Sequence, residues 1–175
     1  IIWDEIHHCY WLGTWEKGIV CFDPEADDAE RRYISQPLPV DIAHQATGDV
    51  FHMVQDDVFH YLWVTTDKDL FVFRITEQRK LEQVDTSLFL PAGNKMLYEI
   101  YKNREGQLWV SAFDMESFMV EIRDNGVDKY PLAPLRDRIK ANPVVTSLCK
   151  DSKGMFWFTQ ERYGVCIYDA VTNKL

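Results

Sequence analysis

The sequence predicts an all-β chain of β-propeller blades, four-stranded antiparallel sheets, with about four consecutive blades of a larger propeller. Three observations carry this expectation. A Trp recurs at positions 11, 63, 109 and 157, at spacings of 52, 46 and 48 residues. The same residue types return at fixed distances around each Trp. No apolar spacing of i, i+3, i+4 persists long enough to build helical repeats of that period.

The columns can be read off directly. Nine positions before each Trp stand Ile2, Val54, Ile100 and Leu148, all apolar. Six before it stand Glu5, Asp57, Asn103 and Asp151, and three before it His8, His60, Gly106 and Gly154. Tyr10/Leu12, Leu62/Val64, Leu108/Val110 and Phe156/Phe158 flank the Trp. A small residue follows two later: Gly13, Thr65, Ser111 and Thr159.

Each unit reads as strand, tight turn, strand, loop, strand. In the last copy, 145–150 is the first strand, and Asp151-Ser-Lys-Gly154 is a turn whose Asp bonds its own backbone and whose Gly takes positive φ. Residues 155–159 form the second strand and 165–169 the third. Third strands of the other copies fall at 18–23, 70–73 (slightly shorter) and 118–122 (slightly longer). Weaker fourth strands are expected near 31–34, 80–84 and 128–132, with a short helical turn at 135–141. Four strands in about 48 residues is the arithmetic of a propeller blade. The blades are expected at 1–47, 48–94, 95–142 and 143–175, the last incomplete, so the chain reads as a piece of something longer.

Composition narrows the function classes. Of 175 residues, 46% are hydrophobic and 14% aromatic, including six Trp, a density that suits the gaps between packed sheets. The formal charge of −9, with no basic cluster, argues against a nucleic-acid surface. No apolar stretch approaches the ~20 residues that span a bilayer, so any membrane attachment requires a segment outside this sequence. Cys9, Cys21, Cys149 and Cys166 form no C-x-x-C pair and read as buried free thiols; a Cys21–Cys166 bridge would need the first and last repeats to meet.

Several residue sets have a structural reading and a functional one. Trp11, Trp63, Trp109 and Trp157 sit mid-strand and are expected to pack between blades, with Gly106 and Gly154 as turn residues. His7, His8, His44, His52 and His60 resemble a metal cluster on paper. Sheets pack ~10 Å apart, however, so equivalent turn histidines of adjacent blades cannot share a metal whose ligand bonds are near 2 Å. No metal or cofactor is expected. The repeated acidic column suits turn capping, since a catalytic group is needed once. No P-loop, nucleophile elbow, H-E-x-x-H or G-x-G-x-x-G is present, and the fragment is not expected to be an enzyme.

The copies differ most between second and third strands. Those loops hold Trp15-Glu16-Lys17, Asp67-Lys68-Asp69, Phe113-Asp114-Met115-Glu116-Ser117 and Glu161-Arg162-Tyr163. All join the same strand pair and are expected on one face. Trp15, Glu16, Lys17, Asp67, Lys68, Phe113, Asp114, Glu161, Arg162 and Tyr163 are therefore the candidate ligand contacts. Aromatic rings beside carboxylates and cations suit an oligosaccharide or another small polar ligand, stacked on the rings and hydrogen-bonded through its hydroxyls.

The unit resembles the two-component regulator propeller repeat: a hydrophobic strand, Asp-x-x-Gly, Leu-Trp, small residues, then Gly-Leu and a Tyr-Asp ending. Copy four matches it most fully, through Asp151-Ser152-Lys153-Gly154, Phe156-Trp157, Gly164-Val165 and Tyr168-Asp169. Copy three keeps Asn103-Arg-Glu-Gly106 and Leu108-Trp109, copy one keeps Trp11-Leu-Gly-Thr14 and Gly18, and copy two departs most, with His60 for the turn Gly. The resemblance implies the periplasmic sensor of a bacterial hybrid two-component histidine kinase, often a receptor for carbohydrate, dimeric as the full-length sensor and held in the inner membrane by a segment absent here. A protein-interaction scaffold and a propeller hydrolase or lyase acting on polysaccharide are the alternatives.

Overall fold

The structure, a computed structural model, describes residues 1–15, 17–36, 49–66, 70–85, 97–104, 106–112, 118–123, 126–131, 145–160, 164–169, 171–172 and 174. Its strands fall into four antiparallel meanders, one per Trp repeat. Blade one holds β1 (Ile2–Asp4), β2 (Cys9–Gly13), β3 (Ile19–Phe22) and β4 (Tyr33–Gln36). Blade two holds β5 (Val50–Gln55), β6 (Leu62–Thr66), β7 (Leu70–Ile75) and β8 (Leu81–Gln83). Blade three holds β9 (Leu97–Lys102), β10 (Leu108–Ala112), β11 (Phe118–Arg123) and β12 (Gly126–Pro131). Blade four holds β13 (Val145–Lys150), β14 (Met155–Gln160) and β15 (Gly164–Asp169).

The first and second strands stand close to the expected positions, and the differences gather further out. The third strand of blade two runs through Ile75, six residues instead of a shortened four. In blade one the fourth strand begins only at Tyr33, because 29–32 wind into a single helical turn, α1 (Ala29–Arg32), capped by the Asp28 carboxylate on the Glu30 amide. The fourth strands of blades two and three are 81–83 and 126–131. The helical turn expected at 135–141 lies outside the described residues.

Three apolar seams join the blades. Trp11, Cys9, Ile19 and Cys21 of blade one pack on Leu62, Val64, Phe71 and Phe73 of blade two. Trp63, Leu70 and Val72 then meet Ile100, Leu108, Val110, Val120 and Ile122 of blade three. Trp109 meets Phe156, Phe158 and Tyr168 of blade four, its ring centroid 4.6 Å from that of Phe156. Each Trp is thus pressed onto the residues flanking the next Trp, which explains both columns at once. Trp157 is the exception, 39% exposed, because among the described residues no sheet stands beyond it. At the other end, blade one turns a ladder of Trp3, Tyr10, Phe22 and Tyr33 outward, with successive centroids 4.7, 6.1 and 5.0 Å apart. Among the described residues, the sheets of blades one and four each keep one face uncovered.

Polar contacts register the first seam. The Val50 amide donates to the Thr14 carbonyl (3.0 Å). The Gln36 side chain donates to the Arg79 carbonyl (3.1 Å) and accepts the Leu81 amide (3.3 Å). Arg79, held at φ 57°, donates Nε to the His7 carbonyl (2.9 Å) and pairs with Asp23. The seam is also tight at Gly13, where a Cβ would lie 2.5 Å from Val50 Cγ1. Gly13→Ala is therefore expected to force the two blades apart and cost about 1–3 kcal/mol in urea unfolding; an unchanged midpoint would show that the seam yields freely.

The cysteines need one correction. Cys9 and Cys21 are buried neighbours in the first seam, but Cys149 is exposed and Cys166 half-buried; all four are free. Cys149 pairs with Trp157 across β13 and β14, so it shares the uncovered face of blade four. The Cys21 thiol beside it, together with burial, pushes the Cys9 thiol up, which leaves it protonated and unreactive at neutral pH.

Candidate functional site

The turns between first and second strands are built around an acid clasping the anchor Trp. In blade four, Asp151 Oδ1 accepts the amides of Lys153 (2.8 Å) and Met155 (3.0 Å), and Oδ2 accepts Trp157 Nε1 (2.9 Å). In blade two, Asp56 takes the Val58 amide (3.0 Å), the Phe59 amide (2.6 Å), the Tyr61 amide (3.0 Å) and Trp63 Nε1 (3.0 Å). In blade one, Asp4 takes the amides of Ile6 and His7 (both 3.1 Å), and its Oδ2 meets His7 Nδ1 (2.8 Å) and Trp11 Nε1 (3.0 Å).

This corrects the acidic column. The capping acids of blades one and two are Asp4 and Asp56, one position earlier than Glu5 and Asp57. Their turns hold one residue more, so Trp11 pairs with Ile2 nine positions back, whereas Trp109 pairs with Tyr101 only eight back. The positive-φ column holds in every copy: His8 (49°), His60 (57°), Gly106 (78°) and Gly154 (82°). The two histidines pay the cost of a left-handed backbone that glycine avoids.

Electrostatics follow from the clasps. Burial pushes the Asp4 carboxyl up, but the hydrogen bonds from the Trp11 indole and from His7 outweigh it and hold the group below 3.8. The Arg79 guanidinium likewise holds Asp23 down, and Asp23 raises Arg79 in turn. A carboxyl whose pKa is lower folded than unfolded contributes stability above its unfolded value and loses it as pH falls through the folded value. Thermal midpoints are therefore expected to hold down to about pH 4 and to fall below it. A midpoint flat to pH 2.5 would contradict the clasp.

Glu5 and Asp57, which take no part in the Trp clasps, stand at the mouth of a groove of about 420 Å³. It opens at the hairpin-turn end of the blades, between the long turns of blades one and two. Ile2, Ile6 and Val54 give it apolar walls, and Trp3, Glu5 and His60 line it. Lys102 of blade three enters from the side, its Nζ donating to Asp57 Oδ1 (2.7 Å) and to the Gln55 carbonyl (2.8 Å). The Gln55 amide donates to the His60 carbonyl (3.1 Å). Trp3 is 40% exposed and braced by Tyr10. The Trp3 ring itself turns away from blade two, onto Tyr10 on the outer face of blade one, so the groove offers carboxylates and an ion pair whose charges offset each other.

The candidate contacts of the second-to-third-strand loops stand elsewhere. In an antiparallel meander those loops leave from the blade end opposite the hairpin turns. Trp15 is 75% exposed there and Lys17 is also exposed. Glu16, Asp67, Lys68, Phe113, Asp114, Glu161, Arg162 and Tyr163 lie outside the described residues. The groove thus belongs to residues that the sequence marks as strand and turn positions and not as ligand contacts. One signal for it was present: adjacent acids at 4–5 and 56–57, of which each turn uses one. Among the described residues, no three His, Cys, Asp or Glu side chains are grouped to hold a metal ion.

Comparison with known proteins gives the fold a context. No protein-family profile matches the chain, and no curated protein does. Solved structures do. The extracellular domain of the putative hybrid two component system BT4673 from B. thetaiotaomicron superposes with a TM-score of 0.65 at 18% identity, over 99% of this chain and 24% of that one. The corresponding domain of BT3049 from the same organism gives 0.60 at 18% identity, over 98% and 22%. A streptogramin B lyase gives 0.55 at 14% identity, over 97% and 53%. The chain spans about a quarter of the length of those two extracellular domains, and what it shares with all three is the fold.

Proposed function

We propose that this chain is part of an extracytoplasmic ligand-sensing propeller of a two-component signalling protein, and that its ligand is a carbohydrate or a similarly polar molecule. The observation that carries the reading is the superposition of nearly the whole chain on the extracellular domains of two such systems. The turn motif Asp-x-x-Gly with its clasped Trp supports it independently in blade four. Among the described residues no helix is long and apolar enough to cross a membrane, so a signal would pass to the membrane through other parts of the protein. Ligand binding would act by favouring one arrangement of paired sensors over another.

Calorimetric titration with oligosaccharide fragments is expected to show saturable binding without turnover. Silence across the panel, with a protein captured instead, would replace the sensor with an interaction scaffold. The likeness to a lyase keeps one enzymatic reading open to test: cleavage of a polysaccharide, abolished by changing Asp67, Asp114 or Glu161, would establish it.

A further inference from the structure

We propose that Cys9 and Cys21 close a disulfide inside blade one as the chain folds in an oxidising compartment, before blade two covers them. The proposal rests on the extracytoplasmic reading above and assigns the bond to this pair alone among the four cysteines.

The strand register sets the pair apart. Cys9 on β2 and Cys21 on β3 belong to adjacent antiparallel strands. Trp11 stands opposite Cys21, and Cys9 lies two residues before Trp11, so both thiols turn to the same face and enter the seam with blade two. There the two thiols meet in a hydrogen bond. Cys9 opens β2 and lies one residue past Tyr10↔Phe22, the last pair of the β2–β3 ladder, so that ladder does not hold the strands apart at this point. Cys149 and Cys166 cannot bond each other. Cys149 stands opposite Trp157 and Cys166 opposite Phe158, successive residues of β14 whose side chains point to opposite faces of the sheet.

Burial dictates the order of events. In the closed seam both thiols are fully covered, so an oxidant has no path to them. The β2–β3 hairpin is local in sequence and pairs before the longer-range docking of blade two. One cysteine thiolate then attacks a small disulfide such as oxidised glutathione and expels one glutathione. The second cysteine attacks the mixed disulfide and expels the other. One sulfur–sulfur bond forms within the protein and one breaks in the oxidant. The two electrons and the two thiol protons end on the two glutathiones. Docking of blade two afterwards hides the bond from reductants.

The test is refolding of the reduced 175-residue chain from denaturant in a mixture of oxidised and reduced glutathione, followed by acid quenching, alkylation and peptide mapping. A linked Cys9–Cys21 peptide is expected, with Cys149 and Cys166 alkylated and the urea midpoint above that of the fully reduced chain. Reduced chain that is folded first and then given the same mixture should gain the link at least ~10-fold more slowly, because both sulfurs are covered. Four alkylated cysteines after refolding, a link through Cys149 or Cys166, or a lower midpoint in the linked form would overturn the proposal. Equal rates in folded and refolding chains would overturn the order of events. Each of these results leaves the sensing reading standing, because that reading is decided by saturable ligand binding.

Discussion

Trp63→Ala is expected to remove about 3–5 kcal/mol of stability, read as a lowered urea midpoint. The indole is 1% exposed, fills the seam against Ile100, Leu108 and Val110, and donates its N–H to Asp56. Truncation leaves a cavity between two sheets that are fixed by their own ladders and cannot close on it. Trp157→Ala is the matched control. That ring keeps the same acid clasp but is 39% exposed, so its loss should cost no more than about 1–2 kcal/mol. Equal losses at the two positions would mean that packing on the next blade is not what the repeated Trp contributes.

The second large effect concerns the clasp. Asp56→Ala strips the acceptor from three amides and one indole, and is expected to cost about 3 kcal/mol or more. Blade three shows the same defect in milder form. Asn103 Oδ1 accepts the Gln107 amide (2.8 Å), its Nδ2 donates to Gln107 Oε1 (2.9 Å), and the buried Trp109 indole N–H has no partner among the described residues. An amide has one acceptor oxygen where a carboxylate has two. Asn103→Asp should supply the second, with the Gln107 amide turning over to present its N–H, and raise stability by about 1 kcal/mol. A lowered melting temperature for Asn103→Asp would show that burying the added charge outweighs the recovered bond.

How much of this was legible in the sequence depends on how local each feature is. The Trp positions were readable because every seam is built the same way, so selection for packing writes the same residues four times. The left-handed turn position was readable too, even where His8 and His60 replace glycine, because it is counted over three residues from the Trp. The capping acid was misplaced in blades one and two because the added turn residue shifts it, and both neighbouring positions are acidic. The groove was legible only in the spare acids at 5 and 57. Its walls come from blades one and two, with Lys102 reaching in from blade three, and no spacing along the chain encodes that meeting. The Cys149 thiol was misjudged for a related reason: its flanking residues specify a strand, but only the neighbouring sheet decides whether that strand is covered.

The seams all point the same way, each blade lending its Trp forward to the one that follows. A whole unit duplicated or deleted between two others would still present its ring to a matching hollow. A unit inserted in reverse would set ring against ring on one side and hollow against hollow on the other. Growth of such a chain by copying is therefore compatible with its packing at every step, while shuffling the order within a unit is not. The polarity of a single side chain, repeated, is enough to make the architecture extensible in one direction only.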